Sequence, residues 1–382
     1  MANSTNKSAI ILYDFLLVQG GAESLTLTLC ESLPELDLGV GFINYDSFAN
    51  LPIGSERITT LCGKTTLPGW QTIKVSRAFS AKNQWLDDYD KVIFSGTNAL
   101  LAVSQRLAGG NILYCHTPPR FVYDLKEYYM SSIAHWKRPL NKLLIRYFKP
   151  KYEGAIARMD LIVANSKNVQ QRIKQHLGRD SIVIYPPCHV DKYRWLSQGD
   201  YYLSTARVEP YKRIKLIVEA FKQMPQKKLV VASGGSDLVA LQQQARGFDN
   251  IRFSGWCDPQ NLQSLMGNCI ATLYLPMDED FGISPVESMA AGKPVIGVDE
   301  GGVKESVLAG ETGLLCPAQP KVSDIVAAVT QMSPEYALSM KHQCQQRAQL
   351  FSAEIFIDKM TQLLSCDNDE LWQVAKTVDS SE

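Results

Sequence analysis

The amino-acid sequence predicts an α/β protein of two Rossmann-like domains, each a doubly wound parallel sheet, facing a central cleft. Three observations carry this. The 382 residues exceed the ~250–300 at which a single hydrophobic core stops growing. Short apolar runs alternate with helical patterns along the chain, the order that gives parallel sheets covered on both faces. The alternation comes as two series, separated by a polar, irregular stretch between Tyr185-Pro186-Pro187 and Gln198-Gly199-Asp200. The expected division is a first domain over 1–190, a linker over 191–200, a second domain over 201–350, and over 351–382 a C-terminal helix returning to the first domain with a polar tail.

In the first series Ala9–Tyr13 reads as a buried strand, Gln19-Gly20-Gly21 as a turn, and Ala22–Leu33 as a helix with Leu25, Leu29 and Leu33 on one face. Lys91–Ser95, Ile112–Cys115, Leu161–Ala164 and Ile182–Ile184 are further strands. The second series has strands at Tyr201–Thr205, Lys228–Ala232, Ile251–Ser254, Ala271–Leu275 and Pro294–Val298, with helical patterns at about 212–223, 237–246, 259–267 and 284–292. Residues 334–364 read as helical and the last dozen as a polar, frayed end.

Composition excludes several classes. Hydrophobic residues at 45% and charged residues at 20% rule out a disordered or collagen-like chain. Lys plus Arg (39) balances Asp plus Glu (39), so no global field draws the chain to nucleic acid. The halves differ: residues 1–190 hold 21 basic and 15 acidic residues, a net of +6, and residues 191–382 a net of −6. Nine scattered cysteines without Cys-x-x-Cys spacing read as reduced and intracellular, neither disulfide-framed nor zinc-bound. The polar start, with Asp14 breaking the first apolar run, does not read as a signal peptide. No stretch approaches the ~18 apolar residues that span a bilayer.

In open α/β sheets ligands sit beyond the carboxyl ends of the strands, so the loops there carry the candidate chemistry. Gly20-Gly21-Ala22-Glu23 lets backbone approach an anion at a helix start; a plain turn explains it equally well. It is neither a dinucleotide fingerprint nor a P-loop. His116-Thr117-Pro118-Pro119-Arg120 gathers polar groups at a strand end, and His116 suits hydrogen bonding and proton transfer near neutral pH. Arg207 and Lys212 flank a strand-to-helix turn, two cations that can hold a diphosphate or simply be solvated. The most informative stretch is Glu279-Asp280-Phe281-Gly282-Ile283-Ser284-Pro285-Val286-Glu287. Ser284 is expected to cap a helix with Glu287 completing a capping box, which leaves Glu279, Asp280 and the Gly282 turn unexplained. The five histidines form no metal-binding pair, and no Gly-x-Ser-x-Gly elbow supports a serine nucleophile.

Taken together these residues resemble the retaining GT-B glycosyltransferases of glycosyltransferase family 4. Glu279 and Glu287 match that family's Glu-x7-Glu motif; Ala291-Gly292-Lys293-Pro294, Gly301-Gly302 and Gly310-Glu311-Thr312-Gly313-Leu314 follow in its order. Arg207 and Lys212 match its basic pair, although Arg213 stands where the family often has Gly, and Gly20-Gly21-Ala22-Glu23 matches its N-terminal glycine loop. A narrower resemblance, through Tyr13-Asp14, His116–Arg120 with Asp124 and Tyr128, Ala164-Asn165-Ser166 and Tyr185-Pro186-Pro187, is to bacterial GDP-mannose-dependent mannosyltransferases of surface polysaccharide assembly.

The resemblance implies that Arg207 and Lys212 neutralise the leaving diphosphate with amides near Gly20, Gly21, Ile283 and Ser284. It implies that Glu287 binds the ribose, Glu279 the sugar hydroxyls, and that the Phe281-Gly282 turn belongs to the donor site. Gly255 and Trp256 would meet the base, His116 would lie under the sugar, and Asp14, Arg120 and Asp124 would serve the acceptor. The implied substrates are a nucleotide sugar, GDP-mannose, and a glycan or lipid-linked acceptor, with no cofactor and no metal. A sugar-nucleotide epimerase of the same architecture, a family 4 transferase using a UDP-sugar and a non-enzymatic sensor are the rival readings. Residues 126–158, with eight basic and two acidic residues and with Leu140, Leu143, Leu144, Tyr147 and Phe148 at helical spacing, fit a helix on an anionic membrane as well as one packed on its own domain. The expected location is cytoplasmic, peripheral at the inner face of the cell membrane.

Overall fold

The computed structural model describes residues 7–18, 20–64, 70–81 and 83–380. The chain forms two compact units, Met1–Pro186 with Phe356–Glu382, and Pro187–Ile355.

The first unit contains β1 (Lys7–Tyr13), β2 (Leu36–Val40), β3 (Ile58–Thr60), β4 (Tyr89–Ser95), β5 (Asn111–Cys115), β6 (Leu161–Ala164) and β7 (Ile182–Val183). They pair in the order β3-β2-β1-β4-β5-β6-β7, every pair parallel. The continuous apolar run of β1 is explained by burial on both faces. Ala9, Ile11 and Tyr13 enter one core, while Ile10 and Leu12, pointing the other way, enter a second. The helices used below are α1 (Gly21–Ser32), α2 (Trp70–Ser80), α3 (Lys126–Ser132), α4 (Arg138–Ile156) and α5 (Lys167–Leu177). Strands β2 and β3 escape a pattern search. Asp37 interrupts β2, where it accepts a hydrogen bond from the Tyr89 hydroxyl at 2.7 Å, and β3 is a short, largely exposed edge.

The C-terminal end also differs from expectation. The last dozen residues are not frayed through Ser380: Leu371–Ser380 is a helix. Its Leu371, Ala375 and Val378, spaced i, i+4 and i+7, join Phe356, Met360 and Leu363 in the core beneath β1. Burying a leucine or valine side chain contributes roughly 1.5–3 kcal/mol, which favours docking of this helix on the core. The Asp379 carboxylate accepts from the Val183 amide at 2.7 Å, tying this helix to the edge strand β7. Composition hid a helical stripe that spacing reveals.

The second unit holds β8 (Tyr201–Ser204), β9 (Lys228–Val231), β10 (Ile251–Phe253), β11 (Thr272–Leu273), β12 (Val295–Val298) and β13 (Gly313–Cys316). They form a parallel sheet in the order β10-β9-β8-β11-β12-β13. Between the strands run α6 (Ile214–Lys222), α7 (Leu238–Gln244), α8 (Pro259–Asn268) and α9 (Ile283–Ala290). Residues 191–200, expected as a linker, belong to this unit. The Leu196 amide donates to the Gly267 carbonyl at 2.9 Å, and Lys293 Nζ donates to the Ser197 carbonyl at 2.6 Å. All nine cysteines are free thiols, and among the described residues no helix is long and apolar enough to cross a membrane. In each sheet the strand order reverses once, at β1/β4 and at β8/β11. Those reversals open the crevices where ligands bind in this architecture.

Candidate functional site

At the β8/β11 reversal two predicted clusters meet. The loop leaving β8 closes in one 3-10 turn, Pro210–Lys212. Arg213 then adopts a left-handed conformation at φ 55 before α6 begins. Glycine tolerates such a conformation most easily. Here an arginine holds it, its guanidinium donating to Glu300 Oε2 at 2.9 Å and to the Pro276 carbonyl at 3.3 Å. The turn aims Lys212 inward. Its Nζ lies 2.5 Å from Glu279 Oε2 and 3.5 Å from the Tyr274 hydroxyl, and the residue is only 7% exposed. Arg207 stays exposed at the mouth of the loop.

Tyr274, just past β11, is the hub the sequence reading missed. Burial, followed by the negative charges of Glu279 and Glu287, holds its phenol well above the usual range, and Arg207 pulls the other way. One buried hydroxyl therefore feels both predicted carboxylates and the exposed cation. Its position at a strand end in Ala-Thr-Leu-Tyr-Leu was the available signal.

The acidic loop is shaped by Gly282, which sits at φ 86 and caps α9 from outside. The helix starts at Ile283, so Ser284 lies inside the first turn and the expected capping box does not form. The Ser284 side chain instead hydrogen-bonds the Glu287 carboxylate, which also accepts from the Tyr193 hydroxyl at 2.7 Å. Burial pushes the Glu287 carboxyl above its usual range, and these two donors partly offset that. Phe281 takes a structural place: its ring is buried and packs on Phe351 with centroids 5.5 Å apart, so only its backbone faces the loop chemistry. Gly302 supports the acids from below. Its amide donates to the Glu279 carbonyl at 2.8 Å, and a Cβ there would stand 2.4 Å from the Asp280 carbonyl oxygen.

A third wall comes from β9 and β10. The Val208 amide donates to the Gly234 carbonyl at 2.8 Å, and Ser236 donates twice to the Glu209 carboxylate, at 3.1 and 2.8 Å. Gly255 turns the chain at φ 67, and Trp256, 71% exposed, lies over Gly234, where a Cβ would meet the indole Nε1 at 2.1 Å. The result is a flat exposed ring beside the cationic loop, a surface suited to stacking a base. Gly234 was not among the expected site residues, although a Gly-Gly pair after a strand advertised it.

The first unit gives its candidates different employment. Gly20 is the N-cap of α1 and Gly21 its first residue; the Glu23 carboxylate folds back over Gly20 and hydrogen-bonds the Tyr13 hydroxyl. Gln19 lies outside the described residues. His116 Nε2 is 2.9 Å from Ser95 Oγ, with the ring edge-on to Tyr114. Burial lowers its pKa to about 4. His116 is thus neutral near pH 7 and exchanges hydrogen bonds there; the expected titration near neutrality does not hold. Asp14 is filled by structure: its carboxylate accepts from the amides of Thr97, Asn98 and Ala99 and from the Asn98 side chain, at 3.2, 2.8, 2.7 and 3.0 Å. It tethers the chain at the β1/β4 reversal, which leaves little capacity for the acceptor role expected of it. Arg120 and Asp124 pair at 2.9 Å. Arg172 approaches the same carboxylate at 3.8 Å and donates to Thr117 Oγ1 at 3.1 Å, fastening the loop after β5 to α5. Among the described residues no group of three or more His, Cys, Asp or Glu side chains is placed to hold a metal ion.

Residues 189–351 match the family described as Glycosyl transferases group 1. The chain is 24% identical to the Mus musculus alpha-1,3/1,6-mannosyltransferase ALG2 over 91% of its own length and 93% of that protein. To the Dictyostelium discoideum ALG2 it is 26% identical, covering 63% of this chain and 66% of the relative. The fold is that of Anabaena Alr3699/HepE, solved in complex with UDP-glucose: TM-score 0.73 at 17% identity, over 94% of this chain and 99% of that one.

Proposed function

We propose that this GT-B glycosyltransferase moves mannose from GDP-mannose, with retention at the donor carbon, onto a lipid-linked glycan at the cytoplasmic face of a membrane. The observation that carries the reading is the assembly of Arg207, Lys212, Glu279 and Glu287 around Tyr274 at the β8/β11 reversal. In the reaction the bond from the sugar's anomeric carbon to the phosphate oxygen breaks, and a bond to the acceptor oxygen forms on the same face. The acceptor's proton passes to the departing phosphate. Arg207 and Lys212 stabilise the charge that develops on that phosphate, the contribution expected of cations held in place beforehand. Amides of the first turn of α9 add partial positive charge. Glu279 orients the sugar hydroxyls and Glu287, fixed by Tyr193 and Ser284, accepts from the ribose. Trp256 offers its ring to the base.

Mannose is favoured by the mannosyltransferase relatives, and guanine and a product in surface polysaccharide assembly by the narrower sequence resemblance. A UDP-sugar donor is the second reading, favoured by the UDP-glucose bound to HepE. A thermal-shift panel of GDP, UDP, ADP and their sugars separates them. GDP or GDP-mannose at 100 times its dissociation constant should add roughly 2.7 kcal/mol of stability; stabilisation by UDP-sugars alone overturns the donor assignment and leaves glycosyl transfer standing. Donor turnover without any acceptor would favour an epimerase instead.

With two side-chain cations assigned to the diphosphate, transfer should proceed at an unchanged rate in EDTA. Activity abolished by EDTA and restored by magnesium or manganese would overturn that part of the reading.

A further inference from the structure

Among the described residues, the non-glycine residues with left-handed backbone are Arg213, at φ 55, and Asp278, at φ 44. Each adjoins a charge assigned to the donor: Arg213 follows Lys212, and Asp278 precedes Glu279. An aspartate visits this region at modest cost, whereas an arginine there is uncommon. Strain of this kind persists where the surrounding structure over-determines it, and it concentrates at functional sites. Stability does not account for Arg213. Glycine would take the same conformation without strain, and the shielded ion pair with Glu300, its side chains 11% and 20% exposed, returns little net stability once both charges are desolvated.

What the side chain adds is a connection. The Arg213 amide closes the turn that bears Lys212, donating to the Pro210 carbonyl at 3.1 Å. Its Nη1 donates to the Pro276 carbonyl at 3.3 Å, at the start of the acidic loop, and to Glu300 Oε2 at 2.9 Å. Glu300 immediately precedes Gly301 and Gly302, which form the ledge under Glu279. The Gly302 amide donates to the Glu279 carbonyl at 2.8 Å, and a Cβ on Gly301 would stand 2.5 Å from that same oxygen. One guanidinium thus ties together the loops that follow β8, β11 and β12. A backbone bond runs alongside it, from the Met277 amide to the Tyr211 carbonyl at 2.7 Å.

We propose that Arg213 is a positioning residue for sugar transfer, clamping the acidic loop against the Gly301-Gly302 ledge so that Glu279 stands at a fixed place beside Lys212. In this role it acts through Glu279 and not on the substrate. The proposal deepens the reading of this reversal as the donor site and rests on it. A carboxylate held in place beforehand loses nothing to reordering when the sugar arrives, so its hydrogen bonds to the hydroxyls appear in full as affinity and orientation.

R213M and R213G in the intact protein test it. R213M keeps the aliphatic stem and removes the donors, and R213G relaxes the backbone as well, so a loss shared by both belongs to the guanidinium. Hydrogen exchange needs no ligand: protection of the Met277 and Gly302 amides, which hold the acidic loop, should fall about tenfold in both variants. Isothermal titration with GDP, GDP-mannose, UDP and UDP-glucose then reads the sugar. Both variants should bind the recognised sugar nucleotide about tenfold more weakly and keep the wild-type affinity for the matching bare diphosphate. E279Q should show the same selective loss, and R213M combined with E279Q should be no worse than E279Q alone, as required of a residue acting through Glu279. R213K, which retains the charge and its donors, should recover part of the loss. Unchanged protection of both amides, or a double variant whose losses simply add, overturns the proposal. So does equal weakening of the diphosphate and its sugar nucleotide, which a general loosening of the unit would give. Failure of the donor reading looks different: K212A and E279Q would leave binding of all these ligands at wild-type strength while R213M still unprotects the two amides, and the clamp would then hold a loop with no part in transfer.

Discussion

Lys212→Ala should lower the rate of sugar transfer by about a hundredfold, a loss of ~3 kcal/mol of transition-state stabilisation, and Arg207→Ala should do the same. The two variants reach that result differently. Arg207 is exposed, so its removal leaves the fold untouched and isolates the charge on the leaving diphosphate. Lys212 is buried against Glu279, and deleting it also strands a carboxylate, which costs stability because a charge in a desolvated site loses its partner. Lys212→Met keeps most of the aliphatic stem and provides the comparison in which packing is nearly preserved. Initial rates at saturating donor, read beside melting temperatures, separate the two effects. Near-normal turnover in both Arg207→Ala and Lys212→Met would remove the diphosphate from this loop and move the donor site elsewhere in the second unit.

The second large effect should come from a residue that touches no substrate. Gly302→Ala adds one methyl group at a backbone conformation, φ −76, that any residue adopts, so the substitution tests space alone. The new Cβ would stand 2.4 Å from the Asp280 carbonyl oxygen and 2.5 Å from the Phe281 Cα. These are backbone atoms, which cannot rotate away as a side chain does. The loop bearing Glu279 must therefore shift, and the hydrogen bond from the Gly302 amide to the Glu279 carbonyl lengthens or breaks. Overpacking of this kind costs about 1–3 kcal/mol. A displacement near 1 Å in a positioned catalytic group lowers rates by about a hundredfold. The expected outcome is a folded enzyme with a modestly lower melting temperature and severely reduced transfer. Wild-type activity in Gly302→Ala would mean that the acidic loop has no required position.

The sequence alone determined the architecture and singled out charged residues that the structure gathers at the β8/β11 reversal. Strands buried on both faces show as unbroken apolar runs, so β1, β4, β5, β6, β8, β9 and β12 were legible from local composition. Of the residues expected to meet the donor, Arg207, Lys212 and Glu279 stood out as charges in loops that follow strands, and Glu287, inside α9, by its spacing from Glu279. Tertiary structure decided what each polar group had left to offer. Asp14 and His116 read alike, as polar groups at strand ends, yet Asp14 is consumed by four donors from residues 97–99 while His116 is held neutral by burial. Ser284 had the pattern of a helix cap, but Gly282, at φ 86, caps the helix two residues earlier, and the serine bonds Glu287 instead. Tyr274 meets Lys212 from 62 positions away in the chain, Gly234 meets Trp256 from 22, and Gly302 meets the Asp280 carbonyl from 22. Hydrogen bonds, burial and close backbone contact are properties of pairs, and a pair distant in sequence acquires its distance in space only when the sheet orders its strands.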